Sequence, residues 1–215
     1  FFKVPINCNR QSDKSDMNKI ESSRQGSVSR KTKETDIQLD LALDGSGKAE
    51  IETGVPFLDH MLTLFTVHGF FDLKIVAVGD TEVDDHHTVE DIGICLGQAI
   101  SKALGGKDGI ARYGSCYMPM DETLARVVVD ISNRPYLHYD VSVSEQKLGT
   151  FDTFLCKEFL RAVSQHGGLT LHIDLLHGEN GHHIIEAIFK GIGRALNSAT
   201  TGIEIEGSLS SKGCL

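Results

Sequence analysis

Two stretches of the chain, GDTEVDDHHTVEDIGICLGQA (residues 79–99) and GENGHHIIEAIFK (residues 178–190), carry the same cluster, His-His-x-x-Glu. After each cluster, apolar residues recur at the spacing of one helix face, which predicts a helix that begins at the histidines. The same plan used twice in one chain indicates an internally duplicated scaffold. The repeat therefore decides the fold class, because each half must supply the same elements.

The repeat extends well beyond the two clusters. When the His-Gly pair at residues 68–69 is placed on the pair at residues 166–167, leucine and isoleucine positions coincide on both sides. In this alignment His60 falls on Glu158, so one potential metal ligand is matched by another. An internal duplication is the simplest explanation of these matches.

A common order of elements is predicted for both halves: strand, turn, strand, helix, strand, helix. The Glu-Thr pair at residues 34–35 precedes a run of strand-forming residues, as does the pair at residues 122–123. Turn signals at residues 44–47 and 133–135 are typical of hairpins that join the first two strands. The remaining predicted segments are helices at residues 56–67 and 151–165 and strands at residues 72–78 and 169–176.

This order indicates an α+β fold of two pseudosymmetric half-domains, with the helices packed between two β-sheets. Residues 1–26 are polar and lack periodicity, so they are expected to form a flexible tail or a remnant outside the fold. The first half-repeat is expected at residues 27–107 and the second at residues 108–215. The boundary between them lies just beyond a Gly-Gly pair that ends a helix. Together the halves are expected to form one catalytic domain.

Composition limits the classes of function. The chain has 215 residues, of which 40% are hydrophobic, which is enough for one substantial core. Its net charge of −9 argues against binding to nucleic acid or to an anionic membrane, although it permits a local basic pocket. Five scattered cysteines without a Cys-x-x-Cys pair favour a reducing compartment, and no apolar run approaches membrane-spanning length. A cytoplasmic enzyme is therefore expected.

The two clusters have the donor types and spacing of metal sites. Residues four apart on a helix lie one above the other, so the first histidine and the glutamate of each cluster are predicted to share one ion. The second histidine points about 100° away around the helix axis and is available to a second ion. Nitrogen and oxygen donors together suit Zn, Mn, Fe or Co. A polar helix start with solvated histidines is the alternative for one cluster, and the duplication favours the metal site. The six donors are His86, His87, Glu90, His182, His183 and Glu186.

From residue 29 to residue 215 the chain resembles imidazoleglycerol-phosphate dehydratases, which are enzymes of histidine biosynthesis. The family fold, two similar halves with helices packed between two sheets, agrees with the duplication. Besides the two cluster segments, the matching stretches are SRKTKETDI (residues 29–37), GVPFLDHMLTLFTVHGFFDL (54–73), RYGSCYMPMDETLARVVVDISNRPYL (112–137) and SSKGCL (210–215).

The resemblance implies two Mn(II) ions per active site. Some family members carry histidine where this chain has Glu158, and a carboxylate there adds negative charge to the site. The eight ligands that the resemblance implies are His60, His86, His87, Glu90, Glu158, His182, His183 and Glu186.

The resemblance also implies a site for the phosphate of a phosphorylated imidazole substrate. Arginine offers a planar fork to phosphate and lysine a point charge, so both suit such a pocket in an acidic protein. Glu34 matches the family residue proposed as the acid and base. The implied phosphate ligands are Arg112, Arg134, Lys190, Ser210 and Lys212.

The reaction that the resemblance implies removes water from imidazole glycerol phosphate and yields imidazole acetol phosphate. The resemblance further implies a homo-oligomer, a 24-subunit shell built from trimers with active sites between subunits. A dinuclear metal hydrolase and a non-catalytic metal-binding protein are the alternatives, since histidine and carboxylate donors also build such centres. His166 and His172 are expected to be structural. The four histidines without an assigned role are His138, His166, His172 and His177.

Overall fold

The computed structural model of the protein describes residues 24–204, 207, 209 and 210. The described residues form four long helices, two four-stranded sheets and one small two-stranded sheet. The first half contains β1 (Gln25–Lys31), β2 (Thr35–Ala42), β3 (Ala49–Glu52), α1 (Pro56–Gly69), β4 (Asp72–Gly79) and α2 (His86–Leu104). The second half contains β5 (Tyr113–Met120), β6 (Thr123–Asp130), β7 (Tyr136–Asp140), β8 (Lys147–Leu148), β9 (Phe151–Asp152), α3 (Leu155–Gly167), β10 (Thr170–His177) and α4 (Gly181–Thr200).

Both large sheets have the same topology. Their strand orders are β1-β2-β4-β3 and β5-β6-β10-β7, with an antiparallel pairing throughout except for the last pair of each sheet, which is parallel. Buried and more exposed residues alternate along β2 and β6, so each sheet covers helices with one face and leaves the other open. The predicted α+β fold of two similar halves is confirmed.

The turns at residues 44–47 and 133–135 do not form hairpins, so that prediction is wrong. The strand β4 lies between β2 and β3, and β10 lies between β6 and β7. In the first half the turn at residues 44–47 is bound to β4, the strand that lies between β2 and β3. The carboxylate of Asp72, the first residue of β4, accepts hydrogen bonds from the backbone N–H groups of Ser46 at 2.7 Å and Lys48 at 3.0 Å.

The first strand of each large sheet, β1 and β5, was not predicted, because neither shows a clear alternation of buried apolar residues at its start. Glycines replace the side chains there: a Cβ at Gly26 would lie 2.1 Å from the Ala99 carbonyl oxygen of α2. A Cβ at Gly114 would lie 1.9 Å from the Ala195 carbonyl oxygen of α4. The strand therefore packs backbone to backbone on the helix, and Gln25 and Gly26, assigned to the tail, belong to β1. Arg24, also assigned to the tail, donates from Nε to the Asp44 carboxylate at 2.9 Å, and residues 1–23 of the predicted tail lie outside the described residues.

The helix predicted at residues 151–165 begins later, at Leu155, and ends at Gly167. The first two residues of the predicted helix instead form β9, which pairs with β8. Thr153 holds this hairpin closed, because its backbone N–H donates to the Gln146 carbonyl at 3.0 Å. The other predicted helix and the two predicted strands agree with α1, β4 and β10 to within two residues.

Helices from different halves pack in pairs, α1 against α4 and α2 against α3. Small residues allow this close approach: a Cβ at Gly93 of α2 would lie 2.7 Å from the Phe159 carbonyl oxygen of α3. A Cβ at Gly193 of α4 would lie 2.4 Å from the Phe65 carbonyl oxygen of α1. The pairing of α1 with α4 brings His60 to the second histidine cluster. None of the helices in the described part of the chain is long and apolar enough to cross a membrane.

Candidate metal centre

Three potential metal ligands meet where α1 crosses the first turn of α4. The Nε2 atom of His182 lies 3.2 Å from Oε2 of Glu186, and Nε2 of His60 lies 3.5 Å from the same oxygen. Each of the three residues offers one donor atom, and these three atoms all lie within 4.8 Å of one another. The pair on α4 has the i, i+4 spacing that the sequence predicts to share an ion, and α1 adds a third donor.

The first turn of α4 is fixed by a side-chain cap. The side-chain oxygen of Asn180 accepts hydrogen bonds from the backbone N–H groups of His182 at 2.9 Å and His183 at 3.3 Å. These N–H groups have no partner within the helix, so the cap satisfies them and sets where the helix begins. Both histidines therefore project from a defined position at the helix start.

Glu186 is a buried carboxylate, with 7% of the residue exposed. Burial raises the pKa of Glu186, but the hydrogen bond and charge of Lys190, helped by His182 and His60, outweigh it and hold that pKa below its ordinary value. Lys190 Nζ lies 2.5 Å from Oε1, the oxygen that does not face the histidines. The carboxylate is thus kept ionised and has one oxygen available to a cation.

A cavity of about 420 Å³ opens beside this group. Phe57 forms part of its wall and presents its ring at 88° to the ring of His182, with the ring centroids 5.4 Å apart. The rings of His60 and His182 also line the cavity. The full lining is Pro56, Phe57, His60, Leu148, Gly149, Thr150 and His182.

The repeat-related group in the other half is not assembled in the same way. Nε2 of His86 lies 3.7 Å from Oε2 of Glu90 across one turn of α2. Glu158, which aligns with His60, instead accepts a hydrogen bond from Arg161 at 2.6 Å on its own helix. Among the described residues Glu158 therefore does not join His86 and Glu90 in a three-donor group.

The second histidine of each cluster contacts a carboxylate through Nδ1. His183 Nδ1 lies 2.7 Å from Oε2 of Glu122, and His87 Nδ1 lies 3.0 Å from Oδ2 of Asp80. These hydrogen bonds raise the pKa of both imidazoles. No sequence motif marks either carboxylate as a partner of a histidine, although the Glu-Thr pair at residues 122–123 aligns with the pair at residues 34–35.

The described phosphate-site candidates fall in two places. Arg112 is buried, with 7% exposed, and its Nε donates to Oδ1 of Asp130 at 2.8 Å while Nη1 donates to the carbonyl of Leu209. Arg134 approaches the same Asp130 at 3.7 Å, and the Leu209 carbonyl that Arg112 contacts immediately precedes Ser210. Lys190 lies elsewhere, next to the metal-ligand candidates. Lys212 lies outside the described residues.

Glu34, the acid and base candidate, is exposed at the start of β2. Its carboxylate makes no hydrogen bond or salt bridge with any residue in the described ranges. Its backbone is anchored, because the Glu34 N–H donates to Oγ1 of Thr32 at 3.1 Å and the Glu34 carbonyl accepts from Asp80 N–H at 3.1 Å. Glu34 therefore has a fixed backbone and an available carboxylate.

Two of the histidines without an assigned role lie side by side on the second large sheet. His138 Nε2 lies 3.4 Å from Oδ1 of Asp174 on the open face of the second sheet, and Nε of Arg126 lies 3.1 Å from Oδ2 of the same Asp174. The ring of His172 lies beside that of His138, with centroids 5.4 Å apart. His177 contacts the Glu122 carbonyl through Nδ1 at 3.0 Å.

Comparison with known proteins identifies the family. The imidazoleglycerol-phosphate dehydratase family model matches residues 53–196. A curated protein of that name from Desulfotalea psychrophila is 67% identical over 196 residues, which are 91% of this chain and 98% of the relative. One from Syntrophobacter fumaroxidans is 60% identical over 193 residues, which are 89% of this chain and 98% of the relative.

Two solved structures agree with this result. The crystal structure of imidazoleglycerol-phosphate dehydratase from Staphylococcus aureus has 50% sequence identity and a TM-score of 0.76, covering 83% of this chain and 99% of that chain. The enzyme from Pyrococcus furiosus, in complex with (S)-C348, has 44% identity and a TM-score of 0.77, covering 87% and 100%. The chain belongs to the imidazoleglycerol-phosphate dehydratase family, a family of lyases in histidine biosynthesis.

Proposed function

We propose that this chain converts imidazole glycerol phosphate to imidazole acetol phosphate and water with two Mn(II) ions per active site. The observation that carries the proposal is the group of His60, His182 and Glu186 beside an open cavity. Two imidazole nitrogens and an ionised carboxylate are a donor set that suits Mn(II). Family membership favours a dehydratase over the two alternatives, a dinuclear hydrolase and a non-catalytic metal-binding protein.

The proposed metal ligands are the eight residues that the family resemblance implies. When bound, the two ions would stabilise the substrate imidazole as its anion and so favour loss of the adjacent hydroxyl group. Arg161 donates to Oε2 of Glu158, so Oε1 of this carboxylate can still serve as a ligand. The proposed set is His60, His86, His87, Glu90, Glu158, His182, His183 and Glu186.

Glu34 is the proposed general base for the carbon-bound proton. The two repeat-related glutamates differ in their contacts: Glu122 is engaged by His183, whereas the Glu34 carboxylate has no such partner among the described residues. A base must be free to approach the proton it removes, and Glu34 meets this condition. Its anchored backbone also limits the volume that the carboxylate can search.

The substrate phosphate is assigned to basic residues. Arg112 and Arg134 lie together at Asp130, and Lys190 lies at the candidate metal group. Arg112 also contacts the carbonyl of Leu209, the residue before Ser210. Because one chain holds these cations in two places, we propose that each active site combines residues of more than one subunit. Lys212 is included by the resemblance.

The intersubunit arrangement is supported by helix packing. Among the helices, α2 packs on α3 and α4 packs on α1, so His86 and Glu90 do not meet the group on α4 within the described part of one chain. An ion held by both clusters therefore needs a second copy of the chain. The proposed assembly is the 24-subunit shell built from trimers.

Metal content and turnover test the proposal together. We expect active protein to hold about two Mn(II) ions per chain, to lose dehydration of imidazole glycerol phosphate on chelation and to regain it with Mn(II). His86→Ala and His182→Ala should each abolish turnover. His172→Ala should leave turnover unchanged, because His172 is exposed on the open face of the second sheet. Full activity with one ion or none per chain would overturn the metal assignment.

A further inference from the structure

We propose that Glu122 and Asp80 are positioning residues for metal binding. Each carboxylate accepts the Nδ1 hydrogen of one histidine, His183 or His87, and so reserves the Nε2 lone pair of that histidine for an ion. The inference rests on the proposed function, because it concerns how two of the proposed ligands are oriented. In this role the carboxylates act on the histidines and do not themselves bind an ion.

The contacts have the required polarity. His183 Nδ1 lies 2.7 Å from Oε2 of Glu122, while the nearest acidic oxygen to its Nε2, on Asp121, is 3.9 Å away and beyond hydrogen-bond distance. His87 Nδ1 faces both oxygens of Asp80, at 3.0 Å and 3.3 Å. An ionised carboxylate has only acceptor atoms, so the imidazole must supply the hydrogen from Nδ1. The neutral ring then carries its lone pair on Nε2.

Glu122 is held so that its two oxygens have different partners. Oε1 accepts hydrogen bonds from the backbone N–H groups of Asn180 at 2.9 Å and Glu179 at 3.2 Å, which immediately precede α4. The carboxylate therefore cannot rotate away from His183 without losing its backbone hydrogen bonds.

The two halves reach the same contact through residues that are not repeat-related. In the alignment of the halves Glu122 corresponds to Glu34, yet His87 is held by Asp80, which directly follows β4. Duplication alone would have placed Glu34 in this role. A requirement shared by both sites, an acceptor at Nδ1, explains why a different carboxylate supplies it. Carboxylates that hold metal-bound histidines in this way typically improve metal affinity about 10- to 100-fold.

A purely structural role for Glu122 is the competing explanation, because it also fastens the segment before α4. Two variants separate the roles. In Glu122→Gln the amide oxygen can still accept the two backbone N–H groups, but the NH₂ group then faces Nδ1 and requires the ring to carry its hydrogen on Nε2. In Glu122→Ala the backbone hydrogen bonds are lost, while His183 is free to present Nε2.

We would measure Mn(II) affinity by competition with a fluorescent chelator and the melting temperature of the metal-free protein. The positioning role predicts that Glu122→Gln loses about 10- to 100-fold in affinity with little change in melting temperature. It predicts that Glu122→Ala loses less affinity but melts at a lower temperature. A structural role predicts that Glu122→Ala is the worse variant by both measurements, and this result would overturn the inference.

Glu145→Gln is the matched control. The Glu145 carboxylate also accepts a backbone N–H at the start of α4, from Gly181 at 3.2 Å, but contacts no histidine in the described part of the chain. We expect its Mn(II) affinity to equal that of the wild type. Asp80→Asn tests the first half independently, should Glu122 variants fail to fold, and unchanged affinity there would refute the role of Asp80. Wild-type protein that binds no Mn(II) would instead contradict the proposed function.

Discussion

Lys190 and Glu186 form a close ion pair, with Nζ 2.5 Å from Oε1, while Oε2 of the same carboxylate faces His60 and His182. A proposed phosphate ligand is thus bonded to a proposed metal ligand. The lysine has two effects of opposite sign on binding. It attracts the substrate phosphate, and it partly neutralises the carboxylate that would hold a cation.

Lys190→Met should therefore separate substrate binding from metal binding. We expect KM for imidazole glycerol phosphate to rise about 10- to 100-fold, the effect of one lost charge-assisted hydrogen bond. Mn(II) affinity should stay the same or increase, because the competing cation is removed. Lys74→Met, which alters an exposed contact with Glu50 at 3.7 Å, is the control. A parallel loss of metal affinity and substrate binding would show that Lys190 orients Glu186 instead.

Glu34→Gln tests proton transfer. The amide keeps the size and hydrogen-bonding capacity of the side chain but cannot accept the proton, so kcat should fall about a hundredfold or more while substrate still binds. Because the carboxylate is exposed and has no hydrogen bond among the described residues, the melting temperature should not change. Steady-state kinetics and a thermal melt give both values. If kcat is unchanged, another group removes the proton.

The two clustered arginines should respond differently to truncation. Arg134 has 67% of its side chain exposed, so Arg134→Ala should raise KM about tenfold and leave the melting temperature unchanged. Arg112→Ala should also destabilise the fold by about 1 to 3 kcal/mol, because it leaves Asp130 and the Leu209 carbonyl without this donor. Thermal melts beside substrate titrations distinguish the two. Equal loss of stability in both variants would contradict this assignment.

The parts of the fold that follow from local pattern could be predicted. Apolar spacing after each histidine pair marks α2 and α4, and the i, i+4 spacing places His182 beside Glu186. Strand order could not be predicted, because the insertion of β4 between β2 and β3 depends on packing between distant segments. The strands β1 and β5 could not be predicted for a related reason. Gly26 lets β1 approach α2 closely, and such a contact leaves no apolar pattern in the sequence.

The candidate site shows the same division. Each cluster identifies its own donors, but the contact of His60 with Glu186 exists only because α1 packs on α4. The carboxylate that holds His183 is 61 residues away in the chain, at Glu122. Helix periodicity carries no information about such a contact. The alignment of Glu122 with Glu34 predicts that the two glutamates have equivalent contacts. In the structure Glu122 contacts His183, whereas His87 contacts Asp80 and not Glu34.

Helix packing has a consequence for assembly. His86 and Glu90 lie on α2, which packs on α3, and the group on α4 is completed by α1 of the same chain. If both clusters bind the same ions, the second cluster must come from a neighbouring subunit. The ions would then bind the assembled state alone, and their binding free energy would stabilise the oligomer by mass action.

Removal of metal should therefore dissociate the particle. We would measure mass by light scattering on protein as purified, after chelation, and after Mn(II) is restored. We expect a large particle, then a much smaller species, then the large particle again. His86→Ala should prevent reassembly, because it removes a donor from the shared site, whereas His172→Ala should reassemble like the wild type. A monomer of constant mass under all three conditions would refute sites between subunits.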